Sequence, residues 1–140
     1  MISGMKYFSA AAVMCLLLAN AASANLPALS QEIMSHIAKQ DPRLGAVVKG
    51  DNGKVNYGVG SGSVAEADRL GKIWAGDGAR LTGDGKGLMS ADGTRVYRFP
   101  ASKDNSSHAI TGTQANFETF KIDPATGDKT KIGNGHMDIN

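Results

Sequence analysis

Cysteine is almost missing from this 140-residue chain: the single one, Cys15, lies in an apolar run near the N-terminus. If that run is removed on export, no thiol remains, which excludes disulfides, cysteine-ligated zinc and thiol catalysis together. Long hydrophobic stretches are missing as well. The run from Tyr7 to Leu18 is followed closely by Asn20 and Ser23 and falls short of the roughly 20 apolar residues that span a bilayer. Lys6 before it and Ala22-Ser23-Ala24 after it form the pattern of a cleaved export signal over residues 1–24, leaving Asn25 first. Ala12-Val13-Met14 do not make a lipoprotein box ahead of Cys15. The expected product is therefore secreted or periplasmic, with no membrane anchor.

Charge of one sign is also lacking. The formal net charge is +2, of which Lys6 supplies one, so bulk electrostatics neither demand nor forbid a nucleic-acid partner. Several catalytic signatures are absent too. There is no Gly-x-Ser-x-Gly nucleophile elbow. Gly58-Val59-Gly60-Ser61-Gly62 has Ser63 where the dinucleotide fingerprint needs its third glycine, and no Walker lysine follows; it reads as a flexible linker. No close pair of carboxylates with histidines points to a metal site, and no cofactor is expected.

What the chain does have is glycine, 18 residues in all, scattered as punctuation between short elements. Ile33, Met34 and Ile37 recur at helical spacing until Asp41-Pro42, which predicts a helix over about 30–40. Residues 45–62 read as loop or linker. Ser63-Val64-Ala65-Glu66 fits a capping box, and the helix after it places Val64, Ala67, Leu70 and Trp74 on one side and ends near Gly76. From Ala79 onward short segments and turns predict an antiparallel sheet. Its strands include Thr94 to Phe99, Thr113 to Ile122, and Lys129 to Ile132 after a Pro124-Ala125-Thr126-Gly127 turn. Gly133-Asn134-Gly135 reads as a further turn into a last strand, His136 to Ile139. One or two helices ahead of a run of strands make an α+β fold, helices packed on a small twisted sheet. The expected organisation is a leader over 1–24, a helix and linker over 25–62, and a functional domain over 63–140.

Three histidines are present. His36 falls on the first helix and His108 in a polar loop, where a solvated side chain is the ordinary reading. His136, following Gly135 into a strand, sits where a sheet can fix a side chain against a cleft. Alternation along Thr113 to Glu118 sends Thr113, Ala115 and Phe117 to one face and Gln114, Asn116 and Glu118 to the other; that polar row reads either as a solvated sheet face or as a site. Alternation also sends Arg95, Tyr97 and Phe99 to one face and Val96 and Arg98 to the other. Metal-free RNA cleavage needs no enzyme nucleophile, because the ribose 2′-hydroxyl attacks the neighbouring phosphate. It needs a proton carrier, which imidazole can supply near neutral pH, and donors for developing charge, which arginine, lysine, threonine and glutamine can supply.

Four segments in order, Trp74 to Gly78, Ser90 to Pro100, Thr113 to Glu118 and Asn134 to Ile139, resemble the C-terminal toxin domains of contact-dependent growth inhibition, filamentous-haemagglutinin-like proteins. The resemblance covers roughly residues 64–140. It implies a compact α+β endoribonuclease of the broad barnase, EndoU, colicin and RelE-like group, commonly cleaving transfer RNA in a target cell and blocked by a cognate immunity protein. DNA is not the expected substrate, because it lacks the 2′-hydroxyl nucleophile and the sequence offers no metal-binding cluster in its place. Carried onto this chain, it implies His136 as general acid or base and Arg98, with Arg95, as a phosphate clamp. Thr113, Gln114 and Asn116 would position the scissile group, with Lys103 and Lys86 as further RNA contacts. The stretch from Asp104 to Thr111 is longer than that pattern leads one to expect, which sets His108 outside the core machinery. A non-catalytic exported binding module using the same polar face, or an inactive toxin relic, is the competing expectation.

Overall fold

The computed structural model describes residues 30–108 and 110–140; the export signal expected over 1–24 lies outside them. By internal packing the chain divides into a first unit, residues 1–36, and a second, Ile37–Asn140. Helix α1 covers residues 30–38. The second unit is α+β.

Asp41-Pro42 ends α1 and at the same time starts α2, Pro42–Lys49. The Asp41 carboxylate accepts from the Arg43 amide at 2.8 Å, and proline at the first helical position gives up only an amide that no helix would use. A turn through Asn52 and Gly53, both at positive φ, leads into β1, Asn56–Gly62, where Tyr57 and Val59 are buried. Residues 45–62 thus contain the end of a helix and a strand rather than the expected linker, and the second packed unit begins at Ile37, well ahead of residue 63. Their glycines resemble linker composition, but Gly62 is closely surrounded: a Cβ there would lie 2.4 Å from the end of the Met137 side chain and 2.6 Å from that of Arg43, and both would have to move.

Helix α3, Val64–Ala75, has the expected capping box, with Ser63 Oγ accepting from the Glu66 amide and Glu66 accepting from the Ser63 amide. Ala67, Leu70 and Trp74 are buried; Val64, expected beside them, is 51 % exposed because it lies in the first turn, outward of the sheet contact. Short strands β2, Arg80–Leu81, and β3, Gly87–Met89, precede β4, Arg95–Ser102, β5, Thr113–Ile122, and β6, Lys129–Ile139.

Among the described residues the strands form one sheet in the order β1-β6-β5-β4-β3-β2. All pairs are antiparallel except β1 with β6, which is parallel. β6 is one continuous strand, so the turn expected at Gly133-Asn134-Gly135 does not form; only a register irregularity occurs near there. Gly135 serves close packing instead, since a Cβ there would meet Val59 at 2.9 Å and Val47 at 3.3 Å.

The core lies between one face of this sheet and helices α2 and α3. Leu44, Val47, Leu70 and Trp74 from the helices meet Tyr97, Ala115, Phe117 and Met137 from the strands, all buried. Gly71 lets α3 approach Tyr97 so closely that a Cβ would fall 2.2 Å from its ring, and Trp74 Nε1 donates to the Glu118 carbonyl at 3.2 Å. With the apolar residues of β5 and β6 committed to this side, their alternate residues are left to the other face.

Candidate functional site

The second face of the sheet carries a polar row, buried along β5 and at His136, half-buried at Asn134 and Asp138 and exposed at Asn56. On β5 it runs through Gln114, Asn116 and Glu118, each at most 7 % exposed. On β6 the matching partners are Asp138, His136 and Asn134. β1 adds Asn56, in register with Asn134, and the connection from β4 to β5 brings His108 against the sheet.

His136 is the centre of this face. Its ring is 7 % exposed and stacks on the ring of His108, centroids 4.5 Å apart and planes 24° apart. Asn116 Nδ2 lies 3.1 Å from Nδ1 and Asn56 Oδ1 lies 3.0 Å from Nε2. Asn116 Nδ2 also donates to Asn134 Oδ1 at 2.9 Å, and Asn134 Nδ2 to Asn56 Oδ1 at 3.1 Å. Gln114 extends the network, donating to Asn116 Oδ1 at 3.1 Å and accepting from Ser106 Oγ at 2.9 Å. Burial lowers the His136 pKa to about 4, helped by the neighbouring His108, Lys103 and Lys131 and opposed by Glu118. The ring is therefore neutral at physiological pH.

The loop over this site is tied down at both ends. The Lys103 amide donates to the Gly112 carbonyl at 2.7 Å, and the Thr111 amide and hydroxyl each reach Asp138 Oδ1 at 3.0 Å. The Ser106 hydroxyl accepts from the His108 amide at 3.2 Å. What the sequence suggests is an inserted polar loop is thus a cover anchored on β6, and it supplies the second imidazole.

Further along the face, Glu118 is 4 % exposed and held between two cations. Lys131 Nζ lies 2.6 Å from it and Arg98 Nε 3.3 Å. Arg98 also pairs with Asp84 at 3.0 Å, so its guanidinium already grips two carboxylates.

The structure gathers some of the expected residues and separates others. His136, Gln114 and Asn116 come together. Arg98 shares their face but is joined to the row through Glu118. Lys103, on the covering loop, is exposed and close enough to depress His136. Thr113 alternates to the other face, and its carbonyl accepts from Thr111 at 3.3 Å. Arg95 does not join Arg98 in a clamp: it points to the helix side, where Nε donates to the Trp74 carbonyl at 2.8 Å and complements the negative end of α3. Lys86 lies in the turn before β3, exposed, its amide bonded to Asp84, apart from the imidazoles. His36 belongs to the first unit.

Asn56, Asn134, Ser106, His108, Glu118 and Lys131 were not among the expected site residues. Asn56 was legible in principle, as the polar member of an alternating Asn56-Tyr57 pair after a tight turn. His108 had no local signal beyond loop polarity. Among the described residues no group of three or more histidines, cysteines and carboxylates is placed to hold a metal ion, and no helix is long and apolar enough to cross a membrane. No protein-family model, curated protein or solved structure matches the chain, so its functional reading rests on the geometry above and on the sequence resemblance.

Proposed function

We propose that this chain is an exported endoribonuclease toxin that cleaves RNA, transfer RNA foremost, by metal-independent transesterification in a target cell, and that a cognate immunity protein restrains it. The observation that carries this reading is the pair of stacked imidazoles, His108 and His136, over a buried row of amide donors with Lys103 and Lys131 close by. In the proposed step the 2′-oxygen forms a bond to phosphorus as its proton passes to imidazole. The P–O5′ bond breaks, and the 5′-oxygen leaves with a proton, giving a 2′,3′-cyclic phosphate and a 5′-hydroxyl. Proton transfer of this kind contributes roughly 100- to 10,000-fold, and the lysines offset the charge gathering on the phosphoryl oxygens. Past Glu118 the same face continues to Phe120, with Lys129 and Lys131 at 4.6 and 5.8 Å from its ring, an aromatic and cationic surface of the type single-stranded RNA uses.

A second reading, a non-catalytic binding module, is favoured by one observation: both ring nitrogens of His136 are already occupied by amides. Cytoplasmic expression of residues 25–140 separates the two. The ribonuclease reading expects growth arrest with fragmented RNA, relieved when His108 and His136 are both replaced by alanine and the far-ultraviolet dichroism is unchanged. Harmless expression with intact RNA favours the binding module.

A further inference from the structure

The contacts around His136 close into a ring: His136 Nδ1 to Asn116, Asn116 to Asn134, Asn134 to Asn56, and Asn56 back to His136 Nε2, at 3.1, 2.9, 3.1 and 3.0 Å. Asn116 meets both neighbours through one atom, Nδ2, and Asn56 meets both through one atom, Oδ1. Only Asn134 presents two different ends. That asymmetry matches a neutral imidazole better than a charged one. Whichever way Asn134 is turned, one end is a carbonyl oxygen and the other an amide N–H. Following the donors round from either end leaves one nitrogen of His136 as a donor and the other as an acceptor.

Reversing every amide reverses the tautomer but not the conclusion, so the result does not depend on how amide oxygens and nitrogens are assigned. An imidazolium has two donors and no acceptor. Placed in this ring it forces one oxygen against another, or one N–H against another; His136 and Asn116 are buried, Asn134 is half-buried and Asn56 is exposed, so the mismatch costs most on the Asn116 side and least on the Asn56 side. With Gln114 Nε2 donating to Asn116 Oδ1 the proton sits on Nε2, and with every amide reversed it sits on Nδ1.

We propose that Asn56, Asn116 and Asn134 are positioning residues that hold His136 as a neutral imidazole, and that the proton of the cleavage step is carried by His108, which His136 orients by stacking. The first half stands on geometry alone; the second rests on the ribonuclease reading. The charged and titratable groups facing His136 point the same way. His108 and Lys103 on the covering loop and Lys131 on β6 oppose its protonation, Glu118 on β5 favours it, and burial outweighs each of them; β1 presents the neutral Asn56. In the step itself, the 2′-hydroxyl proton passes to His108 as the 2′-oxygen bonds to phosphorus. The 5′-oxygen takes a proton from solvent as its bond to phosphorus breaks, and the His108 imidazolium returns its proton to solvent.

Long-range proton–nitrogen NMR of the histidine rings, followed from pH 8 to pH 4, tests the ring without any substrate. Wild-type His136 should remain one neutral tautomer down to pH 5. Asn56→Asp, which sets a carboxylate beside the imidazole and favours its charged form, should raise the midpoint by about one to three pH units. A wild-type His136 that titrates near pH 6.5, or a midpoint that Asn56→Asp leaves in place, overturns the ring. Kinetics then test the assignment to His108, with His108→Ala expected to lower RNA cleavage about 100-fold or more. Undiminished cleavage by that variant overturns the assignment. A wild-type protein whose His136 is locked but which cleaves no RNA refutes the ribonuclease reading and leaves the ring standing.

Discussion

His136 shows how a side chain can sit at the centre of a site and still not titrate in the physiological range. Its folded pKa of about 4 lies below the ordinary value of 6.5, so between these two pH values the unfolded chain binds a proton that the folded one refuses. Stability therefore falls as pH drops from 6.5 toward 4, and this contribution is exhausted below about 4. Asp41 and Asp84 act in a lower window. Arg43 holds the first near 2, and Thr82, with the Lys86 amide and Arg98, holds the second near 2; both contribute stability above the carboxylate range that is lost as pH falls toward 2. Urea midpoints are expected to decline in two stages, and His136→Gln is expected to erase the upper stage alone. A flat wild-type profile between pH 7 and pH 4.5 would contradict the His136 assignment.

At the scale of the element, β5 does most to make the site. Its strict alternation gives Ala115 and Phe117 to the core and Gln114, Asn116 and Glu118 to the polar face, and that alternation is legible in the sequence together with both strand ends. The capping box of α3 is legible for the same reason: the pattern is local and the physics is local. α2 and β1 are not, because Asp41-Pro42 serves two helices at once and Tyr57 and Val59 alternate with glycines, of which Gly58 has open space around it and Gly60 takes a positive φ, a composition that looks like a linker. Gly71, by contrast, is a residue whose place depends on a partner far along the chain. Ala in its place puts a methyl into the Tyr97 ring, and overpacking of this sort costs about 1–3 kcal/mol. Gly83→Ala, at a place with nothing within 4 Å, is the control expected to stay within about 0.5 kcal/mol in urea denaturation. Equal effects of the two would contradict the packing of α3 on β4.

Across the whole molecule, the division of the sheet into an apolar and a polar face assigns each of the candidate residues its place. Arg95 and Thr113 fall on the helix side, where Arg95 braces α3 through Trp74, while His136, Gln114, Asn116 and Arg98 share the other side. The α+β class and the polar row could be read from sequence. The partnership of His108 with His136 and the closure of the amide ring by Asn56 could not, because both depend on contacts 28 and 80 residues apart. The most direct measurement of the central claim is incubation of the purified protein with total RNA in excess chelator, followed by chemical mapping of the new ends. The account predicts discrete cuts leaving 2′,3′-cyclic phosphate and 5′-hydroxyl termini; intact RNA, or 5′-phosphate ends that form only when a divalent ion is restored, would contradict it.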